Sequence, residues 1–468
     1  TITEYFNSVR ETEGLSKVRT VEGEMYFENH RGTYTSWARV KEYNRKNEIL
    51  AEKAEKAGTL GNWLGVLPNA GSEDISKAWD KILINQFHDV LPGSSIPYQY
   101  EVTYNNQELA KNLLNNVQND GLQAIAYKAD TNVDGTPVLV FNPLSWERSD
   151  MVETTVRFTD AVPEQIAVYD GDTLVPSTVT ARDEEKKTAT MRFQANALPS
   201  VGFKIFTVKA GDGTVETNLS VEENDSLFVM ENEFLKVEID KETGNIAQVY
   251  NKKDNNRPVF ADGYQGNEIH IYKDTGGSSY PAWDLVMDEM NADPVAILDD
   301  TPEAIEIIEN NPERVVVRVS RSWSNSSMYQ DITLYPDSDR VDVKMHVNWN
   351  EDQRLMKISF PFAAESDHAT YEIAYGALER PTTRDNSIDN AKFEVSGHKW
   401  ADVTDDSGEF GASILNDSKY GWDAIQLKDE EGNVEATRLR LTALRSPMGA
   451  PVRCSGWDPS PYYIDKTT

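Results

Sequence analysis

Six histidines stand among the 468 residues: His30, His88, His270, His346, His368 and His398. Imidazole is the commonest neutral metal ligand and the side chain that titrates nearest neutral pH, so the company each ring keeps decides what chemistry is open to it. His88 lies in Asn85-Gln86-Phe87-His88-Asp89-Val90-Leu91-Pro92-Gly93-Ser94-Ser95, directly before an acid and shortly before a Pro-Gly turn. A ring in that setting can ligate a divalent cation while Asp89 binds the hydroxyls of a ligand such as a sugar. It can also cap the last carbonyls of a helix, and spacing alone favours the cap. Glu28 lies in Gly23-Glu24-Met25-Tyr26-Phe27-Glu28-Asn29-His30-Arg31-Gly32, where Met25-Tyr26-Phe27 reads as a short strand and Gly32 opens a helix. A carboxylate between a strand end and a helix start is a common place for active-site chemistry in α/β folds. A solvated Glu24/Glu28 pair is the plainer reading, and pattern alone favours it. His346 shares the polar side of a strand with Asp342, Lys344 and Asn348, which points to the surface; His270, His368 and His398 have no clustered partners in sequence. No His-x-Asp, His-Glu-x-x-His, Cys-x-x-Cys, P-loop or dinucleotide glycine motif occurs. One imidazole with nearby carboxylates holds a metal weakly, so a metal site here must draw ligands from elsewhere.

The elements that would position these groups change character near residue 130. Residues 34–57, rich in Ala, Glu, Lys and Arg, read as a helix ending before Gly58 and Gly61. The clearest helix spans 73–88, with Ile75, Ala78, Trp79, Ile82 and Leu83 on one stripe and Ser72 as its N-cap. A third helix covers about 104–127, placing Leu109, Leu113, Leu114 and Val117 on one face. Short links among the three imply a bundle. From Pro137 the pattern is β: Val138-Leu139-Val140-Phe141 is a buried-type run ended by Asn142-Pro143. Leu235, Val237 and Ile239 alternate with polar residues, as do Val341, Val343, Met345, Val347 and Trp349, which is the signature of half-buried antiparallel strands. The expected division is residues 1–30 as a leading segment, 31–130 as the helical bundle, 131–215 as a small β domain and 216–468 as a large β-sandwich, with Gly211-Asp212-Gly213-Thr214 as a linker.

Composition narrows the partners. Lys and Arg number 46 against 78 Asp and Glu, a formal charge of −32, and a surface that acidic repels nucleic acid and anionic membrane. Neutral ligands such as sugars are indifferent to that field. Ten Trp and twenty Tyr supply flat apolar faces that can stack on pyranose rings, although core packing accounts for most of them. The lone cysteine, Cys454, excludes an intramolecular disulfide framework and fits a reducing, cytoplasmic compartment. No apolar run approaches the roughly 18 residues of a membrane span.

The same stretches resemble glycoside hydrolase family 38. Glu24 through Ser36 is similar to that family's GELYLExHRGTYTS signature, and Lys41-Glu42-Tyr43-Asn44-Arg45 with Glu48 continues it. Asn85 through Ser95 resembles NQFHDxLPGSS, and Val140 through Arg148 the start of a first β domain. Ala282-Trp283-Asp284, Tyr375-Gly376, Glu379-Arg380-Pro381-Thr382, Lys419-Tyr420-Gly421 and Leu444-Arg445-Ser446-Pro447 follow as later landmarks, all in family order. The resemblance implies a multidomain α plus β fold: the tail of an α/β catalytic domain over 1–30, a three-helix bundle, then antiparallel β-sandwiches ending in a large galactose-mutarotase-like supersandwich. It implies a retaining α-mannosidase of bacterial type, in which an Asp attacks the anomeric carbon and a second carboxyl group protonates the leaving oxygen. It also implies one divalent cation, zinc first with calcium or manganese as alternatives, on the mannose hydroxyls. Carried over by position, His88 matches a metal ligand, Asp89 a mannose-binding carboxylate, and Glu28 the neighbourhood of the acid/base residue. The family's His-x-Asp pair and nucleophile have no counterpart here, so the chain is expected to be a fragment without most of the catalytic domain, inactive alone, and partnered by a mannoside, by that missing domain and, as bacterial-type members often are, by a second copy in a homodimer. The competing reading is a non-catalytic carbohydrate-binding or assembly protein built from the same domains.

Overall fold

The computed structural model describes residues 1–12, 20–277 and 280–447. Helix α1, Ile2–Glu11, is closed by a Thr1/Glu4 capping box and buries none of its residues. Arg31–Tyr34 forms one turn of 3-10 helix, after which α2 (Ala38–Trp63), α3 (Ser72–Ile84) and α4 (Pro97–Lys128) build the bundle. Its core joins Ala51 and Ala54 of α2, Ile75, Ala78 and Ile82 of α3, and Ala110, Leu114 and Val117 of α4. Leu83 and Leu109, placed on the apolar stripes by periodicity, point outward.

The helix limits differ from those expected, and each difference has a local cause. α2 runs on through Gly58 and Gly61 because the missing side chains admit neighbours: a Cβ on Gly58 would lie 2.5 Å from the Ala70 carbonyl oxygen. Gly121 of α4 repeats this, since a Cβ there would press into the Ala57 carbonyl group. Close helix approach offsets the roughly 0.5–1 kcal/mol that glycine costs inside a helix. α3 stops at Ile84 rather than reaching residue 88, and its N-cap is Gly71 rather than Ser72. α4 starts at Pro97, whose absent N–H is no loss in a first turn.

Seven strands follow: β1 (Thr136–Asn142), β2 (Arg148–Arg157), β3 (Ile166–Asp170), β4 (Thr173–Val175), β5 (Ser177–Asp183), β6 (Thr188–Leu198) and β7 (Gly202–Ala210). They form two sheets, β1-β7-β3-β4 and β2-β6-β5, over a core that includes Val168, Met191, Phe193, Phe206 and Val208. Val138 and Val140 face that core, while Leu139 and Phe141 on the opposite side of β1 share a cleft with Ile49, Ala57 and Leu122 of the bundle.

Beyond residue 220 lie sheets of five, six, four and four strands. In the six-stranded sheet, Arg354–Phe362 pairs antiparallel with Glu268–Lys273 on one side and with Val434–Arg445 on the other. Alternation sorts the faces: Ile269, Ile271, Met356 and Ile358 enter apolar cores, whereas His270, Lys357, Ser359, Arg440 and Thr442 make a second buried face that is polar. There Lys357 binds both Glu394 and Asp423, and Arg440 donates to Asp423 at 2.7 Å and 2.9 Å. The small β unit is tied to this region by Arg192 of β6, which meets the fully buried Glu313 at 2.9 Å and 3.1 Å, with Thr178 Oγ1 donating to the same carboxylate at 2.8 Å.

Candidate functional site

The segment carrying His88 is a run of turns between α3 and α4. The capping task that spacing offered to His88 falls to Asn85, whose Nδ2 donates to the Lys81 carbonyl at 2.6 Å. His88 is left 74% exposed, its Nε2 3.4 Å from Asp89 Oδ2 and its ring 4.2 Å from that of Phe87. Asp89 is anchored by its backbone and by one oxygen: Ser94 Oγ donates to Oδ1 at 3.0 Å, while the Asp89 carbonyl accepts from Ser94 N and from the Tyr100 hydroxyl. Tyr100 is in turn stacked on Trp37 at 3.9 Å and accepts from Ser95 N at 2.9 Å. At the front of the run, Gln86 Nε2 donates to Asn44 and Glu48 of α2 at 3.1 Å and 2.8 Å. The turn is thus held at both ends while its imidazole is exposed with the second Asp89 oxygen beside it.

Glu28 is placed differently. Met25-Tyr26-Phe27 forms no strand, which corrects the expected β-strand. Its alternation is real, however. Tyr26 turns inward and donates to the Glu394 carbonyl at 2.5 Å, and Glu24 forks with the buried Arg380 at 2.8 Å and 2.9 Å. Glu24 is therefore an anchor, not half of a solvated pair. Met25, 84% exposed, and Phe27 point away from the sandwich. The Glu28 side chain is exposed and makes no hydrogen bond or ion pair among the described residues; its backbone carbonyl accepts from Arg31. His30 N donates to Asp284 at 2.8 Å and its ring lies 6.3 Å from Trp283. The fold brings His88 and Asp89 together and gives no contact from either to Glu28.

Among the described residues no group of three or more His, Cys, Asp or Glu is arranged to hold a metal ion. The donor set this chain offers is one outward imidazole and one neighbouring carboxylate, which fits part of a cation shell and not the whole of it. The other histidines are accounted for. His270 is buried with Nε2 3.2 Å from Glu268, His346 is exposed and stacks on Tyr329, His368 meets Asp367, and His398 lies edge-on to Tyr420.

The residues that sequence reasoning passed over are the ones holding this edge in place. Arg445 is fully buried and forks onto Asp274 at 2.8 Å for both bonds, while also reaching Ser36 Oγ and the carbonyls of Pro281 and Asp284. Lys41 is 4% exposed, and its Nζ donates to the Ser36 and Leu91 carbonyls. Burial, with Arg445 and Lys419 adding repulsion, pushes its pKa well below the usual lysine value. Arg380 and Arg445 stood inside the later landmarks and Lys41 in the stretch that continues the first signature, but Glu24 and Ser36, which the two arginines reach, are hundreds of residues from them, and the Leu91 carbonyl that Lys41 reaches lies on the turns between α3 and α4.

Residues 28–125 match the alpha mannosidase middle domain, and residues 230–451 match the glycosyl hydrolases family 38 C-terminal domain. The chain belongs to glycoside hydrolase family 38. Alpha-mannosidase G of Dictyostelium discoideum is 31% identical over 481 aligned residues, spanning 94% of this chain and 40% of that protein. The alpha-mannosidase of Saccharomyces cerevisiae is 28% identical over 96% of this chain and 36% of its own length. The chain thus spans about two fifths of the length of these family 38 relatives. In fold it is similar to the crystal structure of an alpha-mannosidase from Enterococcus faecalis V583, with a TM-score of 0.75 and 16% identity over 95% of this chain and 56% of that one. A second family 38 structure from Enterococcus faecalis gives the same TM-score at 15% identity. The order of helices then antiparallel sheets is that of the family's middle and C-terminal regions. Among the described residues no helix is long and apolar enough to cross a membrane.

Proposed function

We propose that the protein containing this chain is a retaining α-mannosidase that removes terminal α-linked mannose, and that this chain supplies one wall of its active site. The observation that carries the reading is the outward His88 imidazole, released from capping by Asn85 and held on a turn fixed at both ends. His88 would be a ligand of the divalent cation and Asp89 would accept hydrogen bonds from the mannose hydroxyls. The cation, zinc by ligand type with calcium or manganese as alternatives, supplies Lewis-acid stabilisation of a charged ring when bound. The nucleophile and the remaining ligands come from polypeptide outside this chain. Exposed Met25, Phe27, Ile84 and Phe87, on the segments that carry Glu28 and His88, supply apolar surface for that region to cover. Glu28 would take the acid/base position on its motif alone, and retention would then require the nucleophile's carboxyl group to stand roughly 5–5.5 Å from it. A cytoplasmic location fits the single cysteine.

The test uses the complete gene product with an aryl α-mannoside. His88→Ala is expected to lower kcat/KM by at least about a hundredfold and to weaken zinc binding. Glu28→Gln is expected to lower kcat by about 10²–10⁴-fold and to remove one limb of the pH profile. This chain expressed alone is expected to release no mannose. Activity that survives His88→Ala and exhaustive chelation would refute the cation reading, and turnover by the isolated chain would refute the division of the site.

A further inference from the structure

The turn that carries His88 is fastened to the rest of the molecule by a lysine without an acidic partner. Lys41 Nζ donates to the Ser36 carbonyl at 2.5 Å and to the Leu91 carbonyl at 2.8 Å, and among the described residues no carboxylate pairs with it. Its charged neighbours are the cations Arg445 and Lys419. A buried amine in such company is costly, and an apolar side chain of equal length would fill the same space at lower cost. What the amine adds is a bridge between two carbonyls on different segments.

Both ends of that bridge are themselves fixed. Ser36 Oγ donates to the Ala282 carbonyl at 2.7 Å and accepts from Arg445 Nη1 at 3.0 Å, and Arg445 is locked by its fork onto Asp274. At the other end, Gly93 has a φ of +85° and lies so close that a Cβ would press on the Ser36 carbonyl oxygen. An unbroken series of contacts therefore runs from Asp274 through Arg445, Ser36 and Lys41 to Leu91, three residues past His88. Turn geometry alone would leave the His88 loop referenced to its own helices; this series references it to the large sandwich.

We propose that Lys41 is a positioning residue for the His88 turn: by tying the Leu91 carbonyl to Ser36 it sets where His88 and Asp89 stand, and through that the protein's affinity for its divalent cation. The inference rests on the reading of His88 as a cation ligand given above. Lys41 touches neither cation nor substrate. It acts through the backbone of the turn, as groups behind metal ligands commonly do.

The experiment measures the zinc dissociation constant of the complete gene product by competition with a chromophoric chelator, alongside thermal unfolding. Lys41→Met keeps the buried stem and removes the donors; it is expected to weaken zinc binding by about 10–100-fold. Gly93→Ala, which disturbs the same contact from the other side while keeping the amine, is expected to weaken it in the same direction. Lys46→Met, at an exposed pair with Glu42, is the control and should leave zinc affinity unchanged. In a His88→Ala background, Lys41→Met should alter zinc affinity less than about twofold while its effect on thermal unfolding persists, because only a positioning effect needs the ring. Equal losses in both backgrounds would show a merely structural lysine and overturn the proposal. So would wild-type zinc affinity in folded Lys41→Met or, if that variant does not fold, in Gly93→Ala. Wild-type zinc affinity in His88→Ala itself would remove the ligand reading and this proposal with it. A loss there without one in Lys41→Met would sink the positioning role alone.

Discussion

At the scale of single residues, the decisive feature is which polar groups the fold keeps partnered. His88 is left exposed beside Asp89 because Asn85 took the capping role, and Glu24 is tied because Arg380 reached it. Neither outcome follows from residue type, since Asn and His compete for the same carbonyls and either glutamate could have met the arginine. His270 shows the opposite case, an imidazole wholly inside. Burial, as the largest cause, lowers its pKa despite the Glu268 partner, with Arg440 and Arg438 acting in the same direction. The folded state thus favours the neutral ring. Its contribution to stability is complete above the ordinary imidazole pKa of 6.5 and is lost as pH falls below that value. Chemical unfolding at a series of pH values should show stability declining below about pH 6.5 by up to roughly 1.4 kcal/mol per pH unit for this one proton, and His270→Gln should flatten that decline. An identical pH dependence in the variant would mean that the ring is protonated in the folded protein.

At the scale of elements, glycine marked the ends of helices in sequence and turned out to mark where helices touch. Gly58 and Gly61 read as terminators, yet α2 continues through both because α4 and the 64–71 connection pack against them. A sequence pattern cannot distinguish the two uses, since each needs only the absence of a Cβ. Gly121→Ala should therefore destabilise the bundle by about 1–3 kcal/mol, the cost of overpacking, although alanine is the better helix former. The melting temperature checks this: an unchanged or raised value would mean that α2 and α4 can separate without loss. The strands were easier to read. The alternation at Leu235, Val237 and Ile239 survives as buried positions between half-buried ones, because period two holds wherever one face meets a core.

At the scale of the whole molecule, buried charge joins units whose apolar cores are separate. Arg192 belongs to the small β unit and Glu313 to the region beyond it, and both are withdrawn from water. Removing the acid would leave the Arg192 guanidinium with the half-buried Glu309 as its remaining carboxylate partner, so the cost is expected to fall below the roughly 3–5 kcal/mol of a fully broken buried pair. Glu313→Gln is expected to lower the calorimetric unfolding temperature and to split off an early transition for residues 136–210. A single, unshifted transition would show that the cleft between β1 and the bundle holds the small unit without this pair. The Lys357–Glu394–Asp423–Arg440 group does similar work inside the large sandwich, and there Tyr26 and Arg31 join the leading segment to it through the Glu394 and Ala391 carbonyls.

The amino-acid sequence by itself determined the order of helices and strands, the acidic surface, and membership of a family, because periodicity, charge and ordered motifs are properties of neighbours along the chain. It also singled out Asn85–Ser95 as a segment with chemistry. Only the tertiary structure decided that His88 faces outward, that Glu24 is an anchor, and that Lys41 and Arg445 hold the turn in place. Those outcomes depend on contacts such as Glu24 with Arg380 and Ser36 with Arg445, where partners hundreds of residues apart are brought together by sheet packing. No local pattern encodes which distant group will arrive first.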